Sequence, residues 1–288
     1  MVEAGGEGER AVSRLVFPRT GRAWVVGVTG APGVGKSSLV DQLVSCIRAG
    51  GERVAVVAVD PSSPFSGGAI LGDRVRMQAH ATDPAVFVRS MASRGQLGGL
   101  ARATIGAVRV LDAAGWPTIL IETVGAGQVE VDVARAADTT IVVLTPGSGD
   151  SVQVAKAGLM EVADLFAVNK ADKPGTDEIV RDVEATLDLA EPRPEWRPPV
   201  VRTVATTGEG VGALLGAVVR HRSHLHQGGR VERRRGDRLA AEVRRLVEED
   251  AARAAGERCQ GPFFQELVAQ VANRVVDPVT AAEAIARR

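Results

Sequence analysis

A glycine-rich segment between an apolar strand and an amphipathic helix constrains the fold of this chain more than any other feature. Gly30–Ser37 reads GAPGVGKS, which matches the pattern G-x-x-x-x-G-K-[ST]. Residues 24–28 before it predict a buried strand, and residues 38–47 after it predict a helix. Glycines let such a loop curl until its backbone N–H groups, aided by the helix N-terminus, point at a phosphate. The sequence therefore predicts a phosphate-binding loop at the end of a strand.

Two side chains at the end of this loop carry the expected chemistry. Lys36 would reach the β- and γ-phosphates of a nucleotide, and the Ser37 hydroxyl would ligate Mg²⁺. Catalysis of phosphoryl transfer would then consist of positioning and charge neutralisation by Lys36 and the metal. The predicted phosphate contacts are Gly33, Val34, Gly35, Lys36, Ser37 and Ser38.

The segment N-K-x-D at residues 169–172 predicts which base is bound. It ends a second apolar strand, and the Asp172 carboxylate could accept two hydrogen bonds from guanine N1–H and N2–H₂, an edge that adenine does not offer. Lys170 would lie along the base, and Asn169 would join this loop to the phosphate loop. Guanine nucleotides, GTP and GDP, are therefore the expected ligands.

Alternating strands and helices predict an α/β fold of the P-loop NTPase type, with a mostly parallel sheet covered by helices on both faces. Three regions are expected: a short N-terminal extension (1–23), a nucleotide-binding domain (24–226) and a C-terminal helical arm (227–288). The arm carries apolar stripes at helical spacing, which must be buried against something. The predicted strands are 25–28, 54–59, 86–88, 118–122, 140–144, 165–168 and 200–204; the stripes are Leu239, Val243, Leu246 and Val247, and Phe263, Phe264, Leu267, Val268, Val271 and Val275.

Acidic residues follow two further strands, where a nucleotide-bound metal would lie. Asp60 ends one strand and Asp73 follows in a glycine-rich segment, so both could reach Mg²⁺ directly or through water. Helix capping is the alternative role for these two aspartates. Glu122 and Gly125 stand in a segment similar to the D-x-x-G motif of GTPases, in which the Gly125 N–H would sense the γ-phosphate.

Composition excludes several classes of protein. The chain has 35 basic and 35 acidic residues among 288, which leaves no overall field to attract nucleic acid or a membrane. It shows no membrane-length apolar run and no signal peptide, so a cytoplasmic protein is expected. Cys46 and Cys259 are single and distant, which argues against a disulfide or a thiolate metal site.

Five segments together resemble the MeaB/ArgK-type GTPases. They cover residues 27–41, 58–77, 89–104, 121–140 and 143–172, beginning with GVTGAPGVGKSSLVD and ending with LFAVNKAD. This family consists of chaperones of adenosylcobalamin-dependent methylmalonyl-CoA mutase and related acyl-CoA mutases. The resemblance implies slow GTP hydrolysis stimulated by the mutase, GTP-gated loading of adenosylcobalamin, and protection or reactivation of the mutase. It also implies a homodimer held by the C-terminal arm and an indirect link to cobalamin adenosyltransferase.

The resemblance also assigns roles to individual residues. Asp60, Asp73 and Glu122 fall on acidic positions around the metal, and Gln128 is the nearest match to a water-orienting glutamine. A loop from 145 to 156, with Asp150 and Lys156 as its charged members, would relay the nucleotide state to the mutase. In the loop that begins at Ala205 and Thr206, a backbone N–H would meet guanine O6.

Three other functions remain open. A GTPase for nickel delivery or other metallocentre assembly would need metal ligands, which only His221, His224 and His226 offer as a cluster. A kinase of amino-acid transport components conflicts with the N-K-x-D segment. A module that binds GTP without hydrolysing it would be separated from a GTPase by phosphate release.

Overall fold

The computed structural model describes residues 6–61, 77–93, 99–123, 136–147, 160–189 and 195–287. Its centre is a sheet of seven strands, all parallel, in the order β3-β2-β4-β1-β5-β6-β7. All seven predicted strands are confirmed; six end within two residues of the expected positions, and the third, predicted over 86–88, extends to Ser93. The strands are β1 (Trp24–Thr29), β2 (Val54–Pro61), β3 (Val86–Ser93), β4 (Thr118–Thr123), β5 (Thr139–Leu144), β6 (Leu165–Asn169) and β7 (Val200–Thr203).

Helices cover both faces of this sheet, as predicted. The central strands are buried on both sides, which explains why β1, β4 and β5 are nearly continuous apolar runs without polar alternation. The helices of the described residues are α1 (Gly6–Val16), α2 (Lys36–Ala49), α3 (Gly99–Ala113), α4 (Thr176–Asp188), α5 (Val211–His226), α6 (Arg230–Arg258), α7 (Pro262–Ala272) and α8 (Pro278–Ala286), with a single turn at Met160–Val162.

Alternate residues of each strand separate the core into layers. On β1, Val26 and Val28 face α2 and α5, whereas Val25 faces α3. A third cluster lies between β5, β6 and α4, with Phe166 fully buried at its centre. Helix α2, which follows the glycine-rich segment, is therefore packed against the core along one side.

The N-terminal region contains a helix and is anchored to the domain. α1 packs against α3, and Asp112 near the end of α3 accepts hydrogen bonds from the backbone N–H groups of Gly21 (2.6 Å) and Ala23 (2.9 Å). These contacts fix the chain just before β1 enters the sheet. The prediction of a short extension over 1–23 named neither this helix nor its anchor.

The chain divides into two compact units, residues 1–231 and 232–288. In the second unit, α6, α7 and α8 surround an apolar cleft of about 430 Å³ lined by Leu267, Val271 and Ile285, among others. Asp277 caps α8 by accepting from the N–H groups of Val279 and Thr280. Among the described helices, none combines the length and apolarity that a bilayer span requires.

The strand register brings the predicted site together. Val28, near the end of β1, pairs with Glu122 of β4, while Thr29 pairs with Val142 of β5. On the other side, Asn169 at the end of β6 pairs with Thr203 of β7. Because parallel strands end at one edge, the loops after β1, β4, β6 and β7 all begin there.

Candidate functional site

The phosphate loop connects β1 directly to α2, which begins at Lys36. Gly30, Gly33 and Gly35 all have positive φ (141°, 77° and 95°), conformations that glycine adopts at low cost. At Gly30 a side chain is also excluded sterically, because its Cβ would lie 2.3 Å from the carbonyl oxygen of Val143. The glycine pattern is thus required by both backbone conformation and the close approach of β5.

Lys36 is buried within the loop. Its Nζ donates to the carbonyl oxygens of Gly30 (2.6 Å) and Ala31 (2.9 Å), so the side chain folds back across the loop. These bonds orient the ammonium group inside the curve of the loop. A nucleotide phosphate held by the loop N–H groups would meet this positive charge.

Ser37 and Glu122 meet at the same edge. The Ser37 hydroxyl donates to Glu122 Oε1 at 2.5 Å, and the glutamate side chain is only 1% exposed. A hydroxyl and a carboxylate are oxygen donors of the kind that Mg²⁺ prefers. The pair predicted at the metal from distant parts of the sequence therefore lies in direct contact, and its chemistry fits the ion.

The N-K-x-D segment is tied to the phosphate loop by two side chains. Asn169 Nδ2 donates to the carbonyl oxygen of Val34 at 2.8 Å, and Lys170 Nζ donates to that of Gly33 at 2.7 Å. Lys170 has φ 57°, an uncommon value for a non-glycine residue, which marks a sharp exit from β6. Asp172 follows on the exposed side of this turn.

Asn169 also holds the loop after β7. Its Oδ1 accepts from the Ala205 N–H at 3.0 Å and from the Thr203 hydroxyl at 3.3 Å. The Ala205 N–H is thus engaged by protein. Among the described residues, no acceptor pairs with the N–H of Thr206, which is exposed in the same loop. The sequence named both residues for guanine binding but did not show this division.

Several predicted site residues lie outside the described residues. These are Asp73, Gly125, Gln128, Asp150 and Lys156, together with the side chain of Asp60, whose backbone ends β2. Their roles stay predictions.

The histidine cluster considered for nickel serves a structural purpose at His221. This side chain is buried, with Nδ1 2.9 Å from the Thr139 hydroxyl and Nε2 3.4 Å from Asp164 Oδ1. Trp196 packs over both His221 and His224, at centroid distances of 4.8 and 5.2 Å. Within the described ranges, no three His, Cys, Asp or Glu side chains are grouped to hold a metal ion.

Known proteins of similar sequence include several that are named GTPases. The chain is 47% identical to a putative GTPase of Pyrococcus abyssi over 288 residues, covering 99% of this chain and 89% of that protein. It is 35% identical to GTPase ArgK of Escherichia coli over 271 residues, covering 92% and 82% of the two chains. It is also 35% identical to the mitochondrial methylmalonic aciduria type A homolog of Caenorhabditis elegans, covering 77% of this chain and 57% of that protein.

Solved structures show the same fold. The crystal structure of LAO/AO transport system kinase matches with a TM-score of 0.73 at 26% identity, covering 96% of this chain and 85% of the other. HypB from Helicobacter pylori, solved in complex with nickel, matches with a TM-score of 0.53 at 17% identity, covering 75% and 94%. The HypB likeness concerns the fold alone.

The family model described as "Methylmalonyl Co-A mutase-associated GTPase MeaB" matches residues 2–259. That range includes the phosphate loop, Glu122 and the N-K-x-D segment. The chain therefore belongs to the MeaB family and is a P-loop GTPase.

Proposed function

We propose that this GTPase is a chaperone of an adenosylcobalamin-dependent acyl-CoA mutase, either methylmalonyl-CoA mutase or a close relative. It would gate the loading of adenosylcobalamin onto the mutase and protect or reactivate the enzyme. The observation that carries the proposal is a phosphate loop joined to N-K-x-D by Asn169 and Lys170, in a chain matched by the MeaB model over residues 2–259. The name of the C. elegans relative points in the same direction.

Each site residue would have a separate role in GTP hydrolysis. Lys36 would neutralise charge on the β- and γ-phosphates, and the Gly125 N–H would contact the γ-phosphate. Ser37 and Glu122 would hold Mg²⁺, with Asp60 and Asp73 as further acidic residues around it. Bound Mg²⁺ would offset the charge that develops on the phosphate oxygens. Gln128 would orient the attacking water.

The base would be read by two loops that Asn169 holds together. Asp172 would accept from guanine N1–H and N2–H₂, and the N–H of the exposed residue Thr206 would donate to guanine O6. Asn169 begins the N-K-x-D loop and bonds both the loop after β7 and the phosphate loop. Recognition of the base and of the phosphates would therefore be mechanically joined.

A homodimer would bury the apolar surface of the C-terminal unit. Val243 and Val247 on α6 are 61% and 63% exposed. Val243 and Val247 are one helical turn apart, and exposed apolar side chains that cluster on one helix face mark an association site in many soluble proteins. In the full chain, Val243→Glu with Val247→Glu should convert a dimer into a monomer that still binds GTP, as measured by light scattering. A wild-type chain that is monomeric at micromolar concentration would contradict the dimer.

The proposed mutase partner can be tested by measuring GTP hydrolysis and the transfer of adenosylcobalamin. We expect the cognate mutase to accelerate GTP hydrolysis by about tenfold or more, a coupling of ordinary size for a partner that orders an active site. Adenosylcobalamin uptake by the mutase should differ between GTP and GDP. Lys36→Ala, which removes the phosphate-facing ammonium, should abolish both effects. If no acyl-CoA mutase alters hydrolysis by the wild-type protein, the chaperone proposal is wrong.

The loop from 145 to 156 is tested separately. Asp150→Ala and Lys156→Ala should leave basal hydrolysis and GTP affinity within a few-fold of wild type but reduce the acceleration by the mutase. Asp188→Ala is a suitable control, because it removes an exposed acidic side chain from α4. Collapse of basal hydrolysis would instead place this loop in the catalytic site.

A further inference from the structure

The connection that enters β3 lies along the outer flank of α2. Met77 is buried in the same core cluster as Leu39 and Leu43 of α2. A 3-10 turn at Gln78–His80 follows, and residues 81–85 lead into β3. The helix that begins at Lys36 is therefore contacted by this connection as well as by the sheet.

His80 contacts two polar side chains of α2. Its Nε2 lies 3.5 Å from Asp41 Oδ1 and 3.2 Å from the Ser45 hydroxyl, and the histidine side chain is only 13% exposed. Asp41 Oδ1 is shielded from solvent and accepts no hydrogen bond within the described part of the chain. The ionic contact with His80 is therefore the interaction that the structure provides for this oxygen.

This trio is not a catalytic triad. In a Ser-His-Asp triad, serine and aspartate engage opposite nitrogens of the imidazole ring. Here both Ser45 and Asp41 approach the same nitrogen, Nε2. This geometry is that of a contact that restrains α2 against the connection, and not that of a nucleophilic site.

A second contact holds the same connection one turn further along. Arg48 Nε donates to Asp83 Oδ2 at 2.7 Å, and the guanidinium holds the pKa of Asp83 below its ordinary value. The Ala85 N–H donates to the other carboxylate oxygen at 2.9 Å. Asp41, Ser45 and Arg48 are spaced four and three residues apart, so they share one face of α2.

The two contacts differ in how they respond to protons. Among the described residues, the charged groups that face His80 are Asp41 on α2, and Asp83 with its partner Arg48. Histidine gains its charge between pH 8 and pH 5, whereas arginine stays charged throughout that range. A protonated His80 attracts the Asp41 carboxylate strongly, and a neutral one does so only weakly.

We infer that Asp41 and His80 form a proton-dependent contact that positions α2 and slows nucleotide release when His80 is charged. Lys36 and Ser37 lie in the first turn of α2, and Asp41 lies about one turn beyond them. A contact that limits movement of α2 along the sheet therefore limits movement of the groups that hold phosphate and metal. Asp41 and His80 are positioning residues in this scheme, and the Arg48–Asp83 pair supplies a part of the restraint that does not titrate near neutrality.

Release of a fluorescent GDP analogue from the full-length protein tests this inference. At about pH 6, His80→Gln should release the analogue about three to ten times faster than wild type, a change of about 0.7–1.4 kcal/mol. At about pH 8 the two rates should converge, because the inferred contact requires a protonated imidazole. His226→Gln is a matched control, since His226 is an exposed histidine on α5 that should change the rate at neither pH.

Further variants separate positioning from loss of structure. Asp41→Asn should repeat the pattern of His80→Gln, and the double variant should add nothing to either. Arg48→Ala should accelerate release by a similar factor at both pH values. Thermal unfolding and GDP affinity, measured in the same samples, identify any variant that fails to fold or to bind nucleotide. Equal rate ratios at both pH values, or additive effects of Asp41→Asn and His80→Gln, would overturn the inference.

Discussion

Replacing Asn169 with alanine should weaken both the fold and nucleotide binding. The side chain is 1% exposed and makes three hydrogen bonds, to Val34 (2.8 Å), Ala205 (3.0 Å) and Thr203 (3.3 Å). Each contributes about 0.5–1.5 kcal/mol, and buried partners left without a bond add to the cost. We expect Asn169→Ala to lower the free energy of unfolding by about 2–4 kcal/mol.

The loss should be visible in two assays. Urea denaturation should show a lower midpoint at unchanged slope, because the compactness of the folded state is retained. Calorimetric titration with GTP should show an affinity loss of about tenfold or more, since the phosphate loop and the base loops are no longer held together. Asn169→Asp keeps an acceptor for the Ala205 N–H but places an oxygen against the carbonyl of Val34, so it should damage the phosphate loop selectively.

Gly35→Ala supplies the matching half of a double-mutant cycle. Its Cβ would lie 2.4 Å from Asn169 Nδ2, and the φ of 95° is itself unfavourable for alanine by about 1–2 kcal/mol. When Gly35→Ala is combined with Asn169→Ala, the steric clash with the Asn169 side chain is absent and only the cost of the backbone conformation remains. The two changes together should therefore cost less than their sum. Strict additivity, or an Asn169→Ala protein within about 0.5 kcal/mol of wild type, would refute the reasoning.

Three further outcomes are expected. His221→Ala should lower the free energy of unfolding by about 2–4 kcal/mol, because it opens a cavity in the core and removes the contacts of the ring with Thr139 and Asp164; GTP affinity should change little. Asp172→Asn should weaken GTP binding by about tenfold or more in calorimetry while thermal unfolding stays the same. Hydrogen bonds from Arg48 to Asp83 and from Thr280 to Asp277 lower the pKa values of these two carboxyl groups. Both groups therefore stabilise the fold at neutral pH, and the effect is lost as the pH falls through the lowered pKa values. Asp277→Asn should accordingly melt earlier than wild type at neutral pH, and the difference should shrink as the pH falls through the lowered pKa of Asp277.

The fold could be predicted from local sequence because its strands are buried on both faces. Strands such as residues 118–123 are buried at every position and contain consecutive apolar residues, and the glycine and N-K-x-D motifs indicate their chemistry within a few residues. The contacts that were missed join positions far apart along the chain. Asp112 caps the backbone about ninety residues earlier, and His221 meets Thr139 about eighty residues earlier. Isolated aspartate and histidine residues carry no local signal of such partners.

Strand alternation explains why Glu122 and Asn169 approach the phosphate loop and the start of α2 from the same layer. In β4, Leu120 faces α2, so Glu122, two residues later, lies on the same side and meets Ser37. In β6, Ala167 faces that layer, and Asn169 follows it by two residues to meet the phosphate loop. A slip of one residue in either strand would turn the polar side chain to the opposite face. The apolar core that fixes the register of these strands thus also determines the geometry of the candidate nucleotide site.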